Sequence, residues 1–115
     1  RLDYILATDP QSLVVVVGSD FGRTPGYNAN NGKDHWSITS MMMMGPNIQG
    51  NRVIGSSDER HRAHNINPQS LAFQEDGIRL TPGSIHRALR SYLGVSDHPV
   101  IAPFRIGEPD IPLLG

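Results

Sequence analysis

The strongest hydrophobic segment of the chain is an unbroken run over residues 13–17, which Gly18 closes. A continuous run of mostly β-branched residues between turn residues is typical of a strand that is buried on both faces, usually in a parallel sheet. We therefore predict a strand over residues 12–18. A sheet of this kind needs helices on both faces, and this chain carries too few helical patterns to supply them.

Beyond this strand the pattern of apolar positions becomes irregular. Residues 18–32 are rich in turn formers, and an irregular stretch of this length is often functional. A second apolar stretch, residues 35–44, fits either a short helix or a buried strand. Residues 53–54 predict a short strand that Gly55 closes, and the polar residues 56–74 predict a surface excursion.

The clearest helical pattern lies between Thr81 and Gly94. Thr81 is a typical N-cap residue, Pro82 suits the first helical position, and Gly94 follows the last turn. Arg87 and Arg90 lie off the apolar face, and the proline-containing tail over residues 100–115 predicts an extended segment. The apolar face repeats at helical spacing and consists of Ile85, Ala88, Leu89, Tyr92 and Leu93.

Composition and charge exclude several classes of function. The chain has 10 basic and 11 acidic side chains and a formal net charge of −1, whereas nucleic-acid binding rests on a clear basic excess. It has no cysteine, which excludes disulfides, thiolate metal sites and thiol catalysis. No apolar run approaches the roughly 20 residues of a membrane span. Because the chain opens with Arg1 and the apolar residues 4–6 look like the end of an element, we expect it to be part of a longer protein.

Candidate chemistry lies directly after the first predicted strand. In open α/β sheets ligands bind beyond the carboxyl ends of the strands, and Asp20 stands at such an edge. His35 returns 15 residues later, and a carboxylate and an imidazole at one edge form half of a divalent-metal site. Arg23 offers a forked donor for a phosphate or sulfate oxygen. Asp34 either ligates as well or holds the neighbouring imidazole.

The same residues also have a purely structural interpretation. Asp20 then caps a turn, Arg23 pairs with a surface carboxylate, and His35 packs beside Trp36. Spacing alone leaves both interpretations open.

The remaining polar and sulfur-containing candidates favour structural roles. His61 and His64 lie among charged residues, which predicts a solvated face. The four methionines at residues 41–44 predict core filling. His86 lies on the flank of the predicted helix and is expected to face solvent.

Two segments around the candidate residues resemble a known family. VVVVGSDFGRTP (residues 14–25) and NGKDHW (residues 31–36) are similar to motifs of the sulfatase-like family called domain of unknown function 1501, a branch of the alkaline phosphatase superfamily. LTPGSIHRALRSYLGV (residues 80–95) is similar to a superfamily helix that ends in Leu-Gly. The resemblance implies an α/β fold in which residues 1–115 form the C-terminal portion of one alkaline-phosphatase-like domain, a sheet sandwiched by helices.

The resemblance also implies roles for individual residues. Asp20 takes the position of the superfamily's metal-binding acid at a strand end, and His35 looks like the histidine that closes the site. The metal is then a divalent ion such as zinc, manganese or calcium, and Arg23 is the catalytic residue that stabilises developing charge. Phosphatase and phosphoglycerate-mutase relatives carry Asp-His-Gly where this chain has Asp20-Phe21-Gly22, so Phe21 replaces one ligand.

Two functional hypotheses follow from the resemblance. The first is the C-terminal part of a metal-dependent hydrolase of small phosphate or sulfate esters, with its nucleophile and first acidic ligands in the N-terminal part of the same domain. That N-terminal part is then a partner of this chain. The second is a non-catalytic binding or structural relative that kept the fold. Family members often carry export signals, so the resemblance implies a periplasmic or secreted location.

Overall fold

The computed structural model describes residues 13–115, so the first residue of the predicted strand and the apolar residues 4–6 lie outside the described residues. The chain divides into two compact units. The described part of the first unit comprises residues 13–51 and 59–62, and the second unit comprises residues 52–58 and 63–115.

The first unit contains two nested pairs of antiparallel strands. Strand β1 (Val15–Gly18) pairs with β4 (Met41–Met44), and between them β2 (Gly22–Arg23) pairs with β3 (His35–Trp36). Three residues, 19–21, connect the pairs on the first arm, and four residues, 37–40, connect them on the second. The second arm therefore carries one extra residue, as at a β-bulge.

The valine run forms a strand, as predicted, but its pairing and burial differ from the prediction. Strand β1 pairs antiparallel with β4 because the chain returns to it through the nested hairpin, and a hairpin connection imposes that direction. Val16 and Val17 are 39% and 50% exposed. Within the described residues, the prediction of a strand buried on both faces in a parallel pair is therefore wrong.

The second apolar stretch forms strands rather than a helix. Strands β3 and β4 divide it, and the four connecting residues lie between them. Met41 and Met42 are exposed, so the prediction that the methionine run fills a core is wrong at these two positions. Met43 and Met44 are half-buried.

Helix α1 (Pro82–Tyr92) confirms the predicted boundaries. The Thr81 hydroxyl accepts the Ser84 N–H at 3.2 Å, and the Ser84 hydroxyl accepts the Thr81 N–H at 3.3 Å, which completes a capping box. Gly94 follows the C-cap with φ +64°, a conformation that suits glycine after a helix. No helix among residues 13–115 has the length and apolar character needed to cross a membrane.

The tail of the chain is held to α1 by hydrogen bonds from arginine side chains. Arg87 and Arg90, which the pattern places off the apolar face, donate to the carbonyls of Ile106 and Phe104 at 3.1 and 2.6 Å. The predicted extended tail is interrupted at its start, because turns occupy residues 99–103. Residues 104–115 form neither helix nor strand and include bends at residues 104, 108 and 113.

Ile66, which with Ser84 is one of the two most buried residues among those described, lies in the segment that the sequence predicts to be a surface excursion, so that prediction is wrong at this residue. Ile66 is 1% exposed and exchanges two backbone hydrogen bonds with Ile78, at 2.8 and 2.9 Å. The predicted strand at residues 53–54 is absent from the structure, and Val53 is 94% exposed. The other buried apolar side chains among the described residues are Ala88, Ile111, Leu113 and Leu114.

Candidate functional site

The candidate site lies at the junction between the two strand pairs of the first unit. Asp20 is exposed in the three-residue connection between β1 and β2. In the same connection, the Ser19 hydroxyl donates to the carbonyl oxygen of Phe21 at 2.9 Å. Asp20 thus stands just beyond the end of β1, and Arg23 lies three residues further on, in β2.

Strand pairing places Arg23 and His35 opposite each other. They are direct partners in the register of β2 and β3, so their side chains leave the same face of the strand pair. The His35 ring stacks on Phe21, with ring centroids 3.6 Å apart and an interplanar angle of 15°. The Arg23 guanidinium carbon lies 5.0 Å from the centroid of the same phenylalanine ring. Phe21 is therefore the shared surface on which the cation and the imidazole are held.

The contacts of Phe21 were not predicted from the sequence, where this residue entered only as the replacement of a ligand. The sequence does carry a signal for one of them, the contact with Arg23. Phe21 lies two residues before Arg23, and residues two apart in an extended segment share a face. An aromatic residue at that spacing from a cation is a candidate for a cation–π contact.

Arg23 is anchored at one nitrogen by the hairpin itself. Its Nη1 donates to the carbonyl oxygen of Lys33 at 2.9 Å, so its partner is a carbonyl rather than the surface carboxylate of the structural interpretation. A guanidinium has five N–H donors, and this contact orients the group while using one of its nitrogens. Lys33 is held in turn: its Nζ donates to the carbonyl of Pro25 at 3.1 Å and lies 5.0 Å from the ring centroid of Tyr27.

Asp34 is held by the loop. Its Oδ1 accepts a hydrogen bond from Asn28 Nδ2 at 2.8 Å, and its backbone carbonyl accepts the N–H of Thr24 at 3.0 Å. Because consecutive residues of an extended segment point to opposite faces, Asp34 and His35 diverge. The structure therefore gives the Asp34 carboxylate a loop partner, in place of the predicted contact with the neighbouring imidazole.

The donor types in this region fit a divalent cation, but they do not complete a site. Asp20 offers carboxylate oxygens and His35 an imidazole nitrogen, and both side chains are exposed. Among residues 13–115 there is no group of three or more His, Asp or Glu side chains that could hold a metal ion. A catalytic metal site uses at least three protein ligands, so any complete site needs donors beyond Asp20 and His35.

The two histidines of the polar segment, His61 and His64, have different environments. His61 is exposed, and its carbonyl oxygen accepts the indole N–H of Trp36 at 2.7 Å. His64 is half-buried: its Nδ1 lies 2.9 Å from the Ser56 hydroxyl oxygen, and its ring makes a T-shaped contact with Phe73, with ring centroids 5.2 Å apart. The predicted solvated face is therefore wrong for His64, while His61 is exposed as predicted.

These strands define a class of local structure, a nested antiparallel ribbon that presents an arginine and a histidine around one aromatic ring. The chain belongs to the family described as protein of unknown function (DUF1501), whose sequence model matches residues 11–92. A search of the curated proteins found no match, and a search of the solved structures found none.

Proposed function

We propose that this chain is part of a metal-dependent hydrolase of phosphate or sulfate esters. In this proposal Arg23 binds the anionic group of the ester, and Asp20 and His35 are two of the metal ligands. The observation that carries it is the register of β2 and β3, which sets Arg23 directly opposite His35. The resemblance to sulfatase-like proteins supports the same reaction class.

The proposed role of Arg23 follows from how its guanidinium is held. One nitrogen is fixed on the Lys33 carbonyl, and the guanidinium carbon lies 5.0 Å from the centroid of the Phe21 ring. The remaining N–H donors form the planar fork that matches two oxygens of a phosphate or sulfate group. Donors that are oriented before the reaction stabilise charge as it develops on those oxygens, because no reorganisation is needed during the reaction.

The proposed roles of Asp20 and His35 follow from donor chemistry. A carboxylate and an imidazole are a ligand pair that zinc and manganese both accept, and calcium prefers the carboxylate. A divalent cation bound there supplies Lewis-acid polarisation of the ester and activation of the attacking group. Stacking on Phe21 restricts the orientation of the His35 imidazole. The directions of its ring nitrogens are therefore restricted before any metal binds.

The ligand assignment is tested by measuring bound metal in the full-length protein. We expect Asp20→Ala and His35→Ala each to lower the metal stoichiometry after exposure to zinc or manganese. His86→Ala is the matched control, because His86 is an exposed histidine on α1 and its removal should leave the stoichiometry unchanged. An unchanged metal content in both Asp20→Ala and His35→Ala excludes these residues as ligands.

A second candidate function is a non-catalytic relative that kept the fold, and the observation that favours it is Phe21. Where phosphatase relatives carry a histidine, this phenylalanine covers one face of the His35 ring at 3.6 Å. A screen of the full-length protein against aryl phosphates and aryl sulfates, with added zinc, manganese or calcium, separates the two functions. Turnover that a chelator abolishes excludes the non-catalytic function, and absence of turnover under every condition favours it.

A further inference from the structure

The loop between β2 and β3 is organised around one side chain, that of Asn28. Its Oδ1 accepts the backbone N–H groups of Asn30 and Gly32, each at 3.0 Å. Its backbone N–H donates to the carbonyl of Gly32 at 2.8 Å, and its backbone carbonyl accepts the N–H of Asn31 at 3.0 Å. Its Nδ2 donates to Oδ1 of Asp34 at 2.8 Å. Asn28 therefore closes the turn and also ties it to the second arm of the hairpin.

Asp34 connects Asn28 to the pair of strands β2 and β3. Its backbone carbonyl accepts the Thr24 N–H at 3.0 Å, and its own N–H donates to the Thr24 hydroxyl at 3.2 Å. Thr24 and Asp34 are the next pair beyond Arg23 and His35 in the register. A slip of one residue moves each side chain of a strand to the other face, so a fixed Thr24–Asp34 pair determines what lies opposite Arg23.

We propose that Asn28 is a positioning residue, which acts through Asp34 to hold Arg23 and His35 in their arrangement around Phe21. Its importance for binding an ester anion rests on the proposed function, whereas the positioning itself is measured without any substrate. The hydrogen bonds of Asn28 in the loop go to neither Arg23 nor His35. Its effect on these two residues is therefore indirect, because it acts on the pairing register of β2 and β3.

One substitution separates the contact with Asp34 from the closing of the turn. Asn28→Asp keeps an oxygen that can accept the N–H groups of Asn30 and Gly32. It replaces the amide donor by a second carboxylate that faces Asp34, so that an attractive contact becomes a repulsive one. Asn30→Asp is the matched control, because it adds the same charge to the same loop at an exposed residue that enters the network only through its backbone.

The readout is the NMR signal of the His35 ring in full-length protein labelled with ¹³C-histidine. Stacking on Phe21 places the ring protons of His35 in the ring current of the phenylalanine. His35→Gln assigns the signal, and Phe21→Leu gives its unstacked position. We expect Asn28→Asp to move the His35 signal toward the position seen in Phe21→Leu, and Asn30→Asp to leave it where it is in the unsubstituted protein.

A double substitution tests the contact by exchanging its partners. Asn28→Asp combined with Asp34→Asn restores one amide donor facing one carboxylate acceptor, so the His35 signal should return to its original position. The affinity for inorganic phosphate should change in parallel with the His35 signal. It should fall roughly tenfold in Asn28→Asp, as for one lost charge-assisted contact, and recover in the exchanged pair.

The outcomes separate this proposal from the proposed function. An Asn28→Asp protein whose His35 signal matches that of Asn30→Asp overturns the positioning role. If Asn28→Asp is unfolded, the double variant with Asp34→Asn provides the test. A double variant that folds and shows the original His35 signal supports the proposal. A double variant that folds with a displaced His35 signal overturns it. If the unsubstituted protein binds no phosphate and no metal while Asn28→Asp still displaces His35, the proposed function fails and the positioning role stands.

Discussion

Gly22 lets the two arms of the ribbon meet beside the candidate site. It lies between Phe21 and Arg23, and a Cβ at this position would overlap the carbonyl oxygen of Ile38. Ile38 belongs to the four-residue connection that carries the extra residue of the second arm. The backbone of that arm therefore approaches Gly22 more closely than any side chain allows, which is a common reason for glycine next to a bulge.

We expect Gly22→Ala to destabilise the full-length protein by about 1–3 kcal/mol, the usual cost of forcing atoms into an occupied space. Urea denaturation measures the free energy of unfolding, and Gly26→Ala is the control. At Gly26 a Cβ meets no atom within 4 Å, so the change should stay within about 0.5 kcal/mol. Equal effects of the two substitutions would show that close approach to Ile38 is not what selects glycine at position 22.

At this scale, sequence reasoning could find residue types but not their contacts. Asp20, Arg23 and His35 are recognisable because a carboxylate, a guanidinium and an imidazole follow a hydrophobic strand. The stack of His35 on Phe21 was not predictable from spacing, because it depends on the register of β2 and β3. The hydrogen bonds of Asn28 contribute to that register, and no periodicity of apolar residues reports them.

Among the elements, α1 was the most predictable, because the interactions that define its ends are local. The Thr81 cap and the Gly94 terminus each involve residues within a few positions of one another. Such short-range hydrogen bonds can be predicted directly from residue order. The helix therefore begins and ends where the sequence indicates.

The hydroxyl of Thr81 makes a measurable prediction for this helix. Thr81→Ala removes the acceptor of the Ser84 N–H and should lower the free energy of unfolding by about 1 kcal/mol. Thr81→Ser keeps the hydroxyl and should retain most of the stability in the same denaturation experiment. If Thr81→Ser loses as much as Thr81→Ala, packing of the threonine methyl group rather than capping accounts for the effect.

The strands were less predictable than the helix, because each depends on a distant partner. The valine run predicted β1, but its partner β4 lies beyond the nested hairpin, and the run itself does not encode the direction of pairing. Residues 53–54 show the converse case, in which two adjacent apolar residues form no strand. Ile66 was missed because its burial comes with pairing to Ile78 and not with any local apolar pattern.

For the whole molecule, the important observation is how unevenly the apolar side chains are buried. Every buried apolar residue in the described part of the chain belongs to the second unit. In the first unit, the outer strand pair exposes four large side chains: Val16, Val17, Met41 and Met42. A two-stranded pair without a covering layer is at best marginally stable in water, so the first unit is expected to need further protein around it.

We therefore expect the 115-residue chain, produced alone, to show no cooperative thermal transition. Circular dichroism and calorimetry at two protein concentrations test this, with the full-length protein as the reference. The exposed valines and methionines of β1 and β4 should also make the isolated chain associate as its concentration rises, because unpaired, apolar strand edges recruit other strands. A single sharp transition, independent of concentration and with equal calorimetric and van't Hoff enthalpies, would contradict this expectation. It would mean that this chain folds without further protein, and that the Arg23–His35 pair can be studied in it directly.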